Sequence, residues 1–425
     1  MPNFKIAYDS LLSLSNLQLR QYSDSKIELK RSLARTKTLL KLLGSPEEKL
    51  KFVHITGTSG KGSVANMMHQ ILVADDRKVG TYTSPHLTSY LERFQINDKF
   101  IDPELLARCI LDVINAYSRL LGKGESELSF FELSTVLALY AFHEAGCKWC
   151  VLEVGCGGRY DATNIIPTPK IAIITNVDKD HTEILGDSLS KIAYEKAGII
   201  KNKGFVLCGE SRPALRKIFM KEAIQTQAAL FFINQPTSEI IDGKFGLHQQ
   251  HNAALAERAA FELGVDPHVI ASTLKNFKKP ACRFETVQNN PLLILDGAHS
   301  PAKIKAAVRM IKKLNQPVHI LFGCTATKDA QELIDQLNEV AKTITTTRFT
   351  TTFRKASNPA RLLSFVQKSK RAGFFLDPQE ALEHIRKLTK NGEAIVVTGS
   401  LYLAGELRAE WVSESEILKK RSNSL

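Results

Sequence analysis

The run His54-Ile55-Thr56-Gly57-Thr58-Ser59-Gly60-Lys61-Gly62-Ser63 interleaves glycines, hydroxyls and one lysine. A glycine-rich turn at a helix N-terminus aims successive backbone N–H groups at one point, and with a lysine it is a common cradle for nucleotide phosphates. The strict Walker spacing is broken, because Gly57 stands three residues before Gly60 and Gly62 separates Lys61 from Ser63. Taken alone, the loop leaves an ordinary glycine turn open. Further along, Glu153 closes an apolar run that leads into Gly155-Cys156-Gly157-Gly158-Arg159-Tyr160-Asp161-Ala162-Thr163-Asn164. An acid on a second strand beside a phosphate loop suits Mg²⁺, which takes hard oxygens together with substrate phosphates. His181 sits beside Asp178, Asp180 and Glu183, a setting that fits a metal ligand and a structural histidine about equally. Lys196, read from composition, is a surface lysine. Polar residues also gather at His251-Asn252, Arg283-Phe284-Glu285 and Asp296-Gly297-Ala298-His299-Ser300-Pro301. No Ser/His/Asp arrangement and no G-x-S-x-G elbow is present, which disfavours simple hydrolysis.

The elements needed to position these residues are legible as patterns. Lys51–Ile55 is a short strand-like run before the loop, and Val64, Met67, Met68, Ile71 and Leu72 after it fall on one face of a helix. Val79–Thr83, Val151–Val154 and Ile171–Thr175 read as further strands, and 104–121 and 130–145 as helices. Residues 1–50 look helical, with Leu11, Leu12, Leu14, Leu17 and Leu19 and then Leu33 through Leu43, up to Gly44-Ser45-Pro46. Strands alternating with helices predict an open, mostly parallel α/β sheet with its ligand at the strand C-termini. The pattern restarts near residue 285, where Leu292–Leu295, Val318–Phe322, Ile344–Thr347, Gly373–Leu376 and Ala394–Thr398 predict a second, smaller α/β unit. The threonine-rich stretch 343–352 reads as a strand entering a loop.

A chain of 425 residues is expected to form two or three domains, and 44 % apolar with 24 % charged residues is a globular composition. No stretch approaches the roughly 20 apolar residues of a membrane span, and the first residues lack a basic-then-apolar pattern with a small-residue cleavage site, so a cytoplasmic protein is expected. The net charge of +13 suits anionic partners, but the cations are scattered and no nucleic-acid-binding motif accompanies them. Seven cysteines at irregular spacing point to reduced thiols in the cytoplasm, and Cys147-Lys148-Trp149-Cys150 reads as core packing.

Several of these segments jointly resemble the folylpolyglutamate synthase/dihydrofolate synthase family of the ATP-dependent Mur ligases. The resemblance is carried by Gly57–Ser63, Tyr82-Thr83-Ser84-Pro85-His86-Leu87 with Glu92-Arg93, Phe130-Phe131-Glu132 and Val151 through Asn164. It continues through Asp180-His181-Thr182-Glu183-Ile184-Leu185-Gly186, Glu195-Lys196-Ala197-Gly198-Ile199-Ile200-Lys201, Asp296–His299 and Val397-Thr398-Gly399-Ser400-Leu401-Tyr402-Leu403. It implies a P-loop-type central ATPase domain with a mostly parallel sheet over residues 1–284, and a Rossmann-like C-terminal domain over 285–425 that closes over ATP and glutamate. The implied reaction is amide formation in two steps: ATP phosphorylates a carboxylate of dihydropteroate or a reduced folate, and the amine of L-glutamate displaces phosphate from the acyl phosphate. The runner-up readings are a ligase for a UDP-muramyl acceptor and a nucleotide-binding protein without ligase activity.

Residue by residue, the resemblance implies that Thr58, Ser59, Gly60, Lys61, Gly62, Ser63, Asn252, Arg283, Asp296 and His299 contact ATP. Ser84 and Glu153 match ligands of one Mg²⁺, and His181 a ligand of a second. Lys196 matches a lysine that the family carbamylates, which reverses the surface reading above. Lys61, His181 and Lys196 form the implied catalytic set. Phe130, Phe131, Glu132, Tyr160, Asp161 and Ala162 match the pterin side of the pocket. A monomer with small-molecule partners only is expected, without nucleic acid or membrane. The chain also departs from the family: Ser59 and Ser300 replace a usual Asn, Cys282 a glycine and Cys156 a leucine, and Leu33-Ala34-Arg35-Thr36 lacks an expected acid.

Overall fold

The computed structural model describes residues 3–14, 26–122, 125, 127–233, 247–351 and 354–425. Leu17, Leu19 and Thr352, named above, lie outside the described residues. The chain forms two compact units: residues 1–84 with 93–278, and residues 85–92 with 279–425. The division falls six residues before the expected boundary, and the second unit also takes in the short segment 85–92.

The first unit is built on one sheet of β1 (Lys51–Thr56), β2 (Val79–Tyr82), β3 (Phe94–Ile96), β4 (Lys99–Phe100), β5 (Trp149–Glu153), β6 (Ile171–Ile174), β7 (Phe205–Cys208) and β8 (Ala229–Phe232). Their order is β4-β3-β2-β5-β1-β6-β7-β8, parallel from β2 to β8, with β3 and β4 as an antiparallel edge. Alternate residues enter opposite cores: Ile171 and Ile173 join Val53, Ile55 and the helix Lys61–Ala74 on one face, while Ala172 and Ile174 join the helices Leu189–Ala197 and Pro213–Thr226 on the other. Burial on both faces is why these strands read as unbroken apolar runs. All five residues expected on the inner face of the helix after the loop are buried.

In the second unit β9 (Glu285–Asn289), β10 (Leu292–Leu295), β11 (Val318–Phe322), β12 (Ala341–Thr346), β13 (Arg371–Phe374) and β14 (Ala394–Thr398) lie in the order β13-β12-β11-β14-β10-β9. The five expected strands form its parallel part, and β9 adds an antiparallel edge. Segment 85–92 packs here through Leu87, against whose backbone Gly405 closes so tightly that a Cβ would stand 2.8 Å from the Leu87 carbonyl oxygen. The Glu92 carboxylate accepts from the backbone of Leu87, Thr88 and Ser89 at 2.9–3.2 Å, which folds the segment on itself. Among the described residues no helix is long and apolar enough to cross a membrane. None of the seven cysteines is in a disulfide, and Cys147 and Cys150 are buried, as core packing requires.

Candidate active site

Three parallel strands, β5, β1 and β6, deliver their C-terminal loops to one edge of the first sheet. The turn after β1 reaches its shape through two glycines, Gly57 at φ 151° and Gly60 at φ 84°, the second capping the helix Lys61–Ala74. Both are also required by space: a Cβ at Gly57 would lie 1.7 Å from Thr175 Oγ1, and one at Gly60 2.3 Å from Asn252 Oδ1. The turn is bolted to the loop after β6. Thr58 N donates to the Asn176 carbonyl (3.1 Å), Ser59 N to Asn176 Oδ1 (2.9 Å), and Thr175 Oγ1 to the Ser59 carbonyl (2.5 Å). Asp178 N donates to Thr58 Oγ1 at 2.9 Å. The amides of Thr58 and Ser59 therefore serve the loop itself. The donors left to face an anion are those at the helix start, Lys61, Gly62 and Ser63, which have no intrahelical acceptor.

Lys61 folds back over this turn, its Nζ donating to the Gly57 carbonyl at 3.0 Å. A recess beside it is lined by Gly57, Thr58, Lys61, Gly155, Cys156, Gly157, Asp180, His181, Leu185 and Lys196. The three residues of the implied catalytic set thus share one cavity. Lys196 is buried at 2 % exposure, in the helix Leu189–Ala197. The compositional reading as a surface lysine fails because the glycines of the β5 loop let that helix approach. A second, open recess of about 420 Å³ is lined by Ser59, Gly60, Thr175, Asn176, His248, His251 and Asn252. Small-molecule sites run from roughly 300 to 1,000 Å³. His248, one turn before Asn252 and not anticipated, belongs to this second recess. Gln249, also unanticipated, links the two halves of the first unit: its Nε2 donates to Ser63 Oγ (3.1 Å) and its Oε1 accepts from Asn252 Nδ2 (3.0 Å).

Glu153 is buried at the end of β5 and accepts from Ser84 N at 3.3 Å. A Cβ on Gly62 would stand 3.6 and 3.7 Å from its two carboxylate oxygens, so this acid lies directly beside the phosphate turn. His181 adopts φ 51° at the start of the short helix Thr182–Leu185, a left-handed conformation that a histidine takes only when its surroundings impose it. Among the described residues no three His, Cys, Asp or Glu side chains converge as an all-protein metal cage. A few hard oxygens beside a phosphate turn is the donor set that suits Mg²⁺, which keeps waters and phosphate oxygens in its shell.

The pterin-side residues divide. Phe131 lies over the Gly155 backbone, where a Cβ would meet its ring at 2.4 Å, and packs 6.2 Å from Tyr82. Phe130 is buried, with the Arg93 guanidinium 5.5 Å from its ring centre. Glu132 completes a capping box with Ser129 and accepts from Ser32 Oγ and Thr36 Oγ1 on the helix Lys26–Leu42. Tyr160 is half-buried. Asp161 and Ala162 are buried, and Asp161 is bonded to its own loop, Oδ2 accepting from Cys156 N and Oδ1 from Thr163 N and Oγ1. Burial raises the pKa of Asp161 against these bonds, which lower it.

Arg283, Asp296 and His299 belong to the second unit. Asp296 Oδ2 accepts from Phe284 N and Oδ1 from Ala298 N, each at 3.0 Å, and burial raises its pKa. Arg283 stands between Cys282 (φ 55°) and Phe284 (φ 53°), so the cysteine occupies a backbone conformation that favours glycine. His299 Nδ1 contacts the Gly297 carbonyl at 2.7 Å, and its Nε2 the Lys303 ammonium at 2.9 Å.

Residues 55–253 match the Mur ligase middle domain, and residues 282–401 the Mur ligase glutamate ligase domain. The folylpolyglutamate synthase of Lacticaseibacillus casei is 31 % identical over 403 residues, covering 87 % of this chain and 92 % of that protein. The chain belongs to the folylpolyglutamate synthase/dihydrofolate synthase family of Mur ligases. A second member of that family, the dihydrofolate synthase/folylpolyglutamate synthase of Bacillus subtilis, is 29 % identical over 90 % of this chain and 95 % of its own. The Mycobacterium tuberculosis folylpolyglutamate synthase, solved in complex with ADP, superposes with a TM-score of 0.85 at 25 % identity, over 96 % of this chain and 98 % of that one. The family's two-sheet α/β architecture is the one described above.

Proposed function

We propose that this protein joins L-glutamate to dihydropteroate and to reduced folates, using ATP and passing through an acyl phosphate. That it is an ATP-dependent ligase of the folate type follows from its family. Both acceptors are proposed because relatives of each specificity are equally near: the L. casei folylpolyglutamate synthase at 31 % identity and a Saccharomyces cerevisiae dihydrofolate synthetase at 30 % over 96 % of that protein. ATP as co-substrate is supported by the ADP complex of the M. tuberculosis relative.

The observation that carries the assignment of roles is the single recess shared by Lys61, His181 and Lys196 beside the phosphate turn. Lys61 and the helix-start amides hold the β- and γ-phosphates and stabilise charge on the transferring phosphoryl group. Ser84 and Glu153 would hold one Mg²⁺ and His181 a second, supplying charge neutralisation on the phosphates. The neutral amine of Lys196 adds CO₂ and gives up one N–H proton to solvent, becoming a carbamate, an anion placed to support a cation where an ammonium would repel it. Asn252, Arg283, Asp296 and His299 are assigned to the nucleotide. Phe131 and Tyr160 are assigned to the pterin. The seven unbridged thiols support a reducing, cytoplasmic setting, and a monomer is the proposed state.

The test is ADP release with ATP, Mg²⁺ and L-glutamate while only the acceptor varies. Turnover with both dihydropteroate and tetrahydrofolate is expected; activity with neither, but with a UDP-muramyl acceptor, would overturn the reading. Lys61→Ala and Lys196→Ala are each expected to lower kcat by at least about 100-fold with an unchanged circular dichroism spectrum. A near-normal rate for Lys196→Ala would remove the carbamate from the mechanism.

A further inference from the structure

Strand β1 lies at the centre of its sheet, and Phe52, Val53 and Ile55 on it are apolar and buried, yet His54 and Thr56 are polar and fully buried. Burying polar side chains in a central strand is unfavourable unless each finds a partner. Here both reach the same place, the loop after β5. Thr56 Oγ1 donates to the Gly157 carbonyl at 2.5 Å. His54 Nε2 meets Thr163 Oγ1 at 2.9 Å, and Thr163 Oγ1 donates onward to Asp161 Oδ1 at 2.5 Å. Since the Thr163 hydroxyl proton goes to the carboxylate, its oxygen accepts from His54, which sets the ring as the Nε2–H tautomer. Burial holds the His54 pKa down at about 3, so the ring stays neutral at working pH. Among the described residues its Nδ1 has no hydrogen-bond partner, and Thr163 is the one side chain that bonds the ring.

The chain of bonds continues towards the recess. Asp161 Oδ2 takes the amide of Cys156, a lining residue. The same loop locks onto the helix of Lys196: Arg159 N donates to the Glu195 carbonyl at 2.7 Å, and a Cβ on Gly158 would stand 3.2 Å from Lys196 Cα. We propose that His54 is a positioning residue for the ligase reaction, holding through Thr163 and Asp161 the loop that sets Cys156 and Lys196 at the recess. It touches no reacting atom itself. The inference rests on the proposed function only for its kinetic readout.

The test pairs kinetics with amide hydrogen exchange, using the full chain. Thr163→Val removes the hydroxyl at nearly constant volume, and Thr163→Ser restores it. Expected for Thr163→Val is a kcat at least tenfold lower, a KM for ATP within twofold, and exchange of the Gly155 and Cys156 amides at least tenfold faster, with amides of β6 unchanged. Thr163→Ser is expected within twofold of the parent in all three. Unchanged exchange in Thr163→Val overturns the proposal whether or not any acceptor is turned over. If the wild type is inactive with every acceptor while the exchange pattern holds, the functional reading fails and the positioning relay stands. Should Thr163→Val not fold, His54→Phe, which keeps a buried ring but has no donor, takes its place, with loss of kcat and faster loop exchange expected; parental values in both overturn it.

Discussion

Two turns carry residues assigned to the nucleotide, and they reach left-handed backbone by different means. After β1 the positions are glycines, Gly57 at 151° and Gly60 at 84°, whereas around Arg283 they are Cys282 at 55° and Phe284 at 53°. The first turn has no room for a Cβ, since Thr175 and Asn252 approach to 1.7 and 2.3 Å of where one would be. The second keeps its side chains, each left-handed non-glycine residue costing about 1 kcal/mol, and is tied down by hydrogen bonds. Asp296 holds Phe284 N, Glu285 Oε2 accepts from Cys282 N at 2.8 Å, and the Cys282 carbonyl accepts from Gly297 N at 2.9 Å. Crowding makes glycine obligatory in one turn; in the other, a carboxylate network offsets strain.

If that contrast is right, Gly60→Ala has the largest effect. The new Cβ displaces Asn252 or the turn itself, and a misplacement of about 1 Å at a reacting centre lowers turnover roughly 100-fold. ADP release would show it, and retention of a third or more of the parental rate would mean the first turn yields as readily as the second. Next is Asp296→Asn. An amide accepts only through its oxygen, so one of the two backbone donors loses its acceptor, at about 1–3 kcal/mol in urea unfolding of the second unit. The pH dependence adds a sign. Burial raises the Asp296 pKa, so the native state keeps this proton to higher pH than the unfolded chain. The Asp296 contribution to stability is therefore greatest below the unfolded carboxylate pKa and declines as pH rises above about 4. Wild type is expected to lose stability relative to Asp296→Asn across that rise, and parallel curves would argue that the carboxylate is not desolvated. The smallest effects fall on Cys282. Cys282→Gly relieves the left-handed cost but gives up a buried thiol, so stability stays within about 1 kcal/mol of the parent. Cys282→Val, β-branched in the same conformation, loses about 1–2 kcal/mol. Equal stability of the two would show that the turn is not strained.

Strands buried on both faces were readable because they are continuous apolar runs, as with Val151–Val154 and Ile171–Thr175. Strands β3, β4, β7, β8 and β9 were not. The first two and β9 are short antiparallel edges of mixed polarity and β8 alternates exposed and half-buried residues, whereas β7, Phe205–Cys208, is an apolar run as short as β6. In the site, the phosphate turn, Glu153 and His181 carried local signals of type and spacing. Lys196 carried none of its own, since nothing adjacent in sequence says that a lysine on an amphipathic helix is buried. His248 and Gln249 were missed for a similar reason: their partners, Ser59, Gly60 and Ser63, lie far away in sequence.

By itself the sequence determined the α/β class and the place of the glycine-rich turn, because periodicity and glycine spacing are local properties of the chain, and its ordered motifs carried the resemblance to the family. Tertiary structure decided which donors of that turn remain for an anion, since Asn176 takes the amides of Thr58 and Ser59. It also decided that Lys196 faces the recess of Lys61 and His181, and that the Glu132 carboxylate accepts from Ser32 and Thr36 on the helix Lys26–Leu42. Each of those outcomes depends on hydrogen bonds and close approaches between strands and loops remote in sequence, which only the packing of the sheet brings within reach.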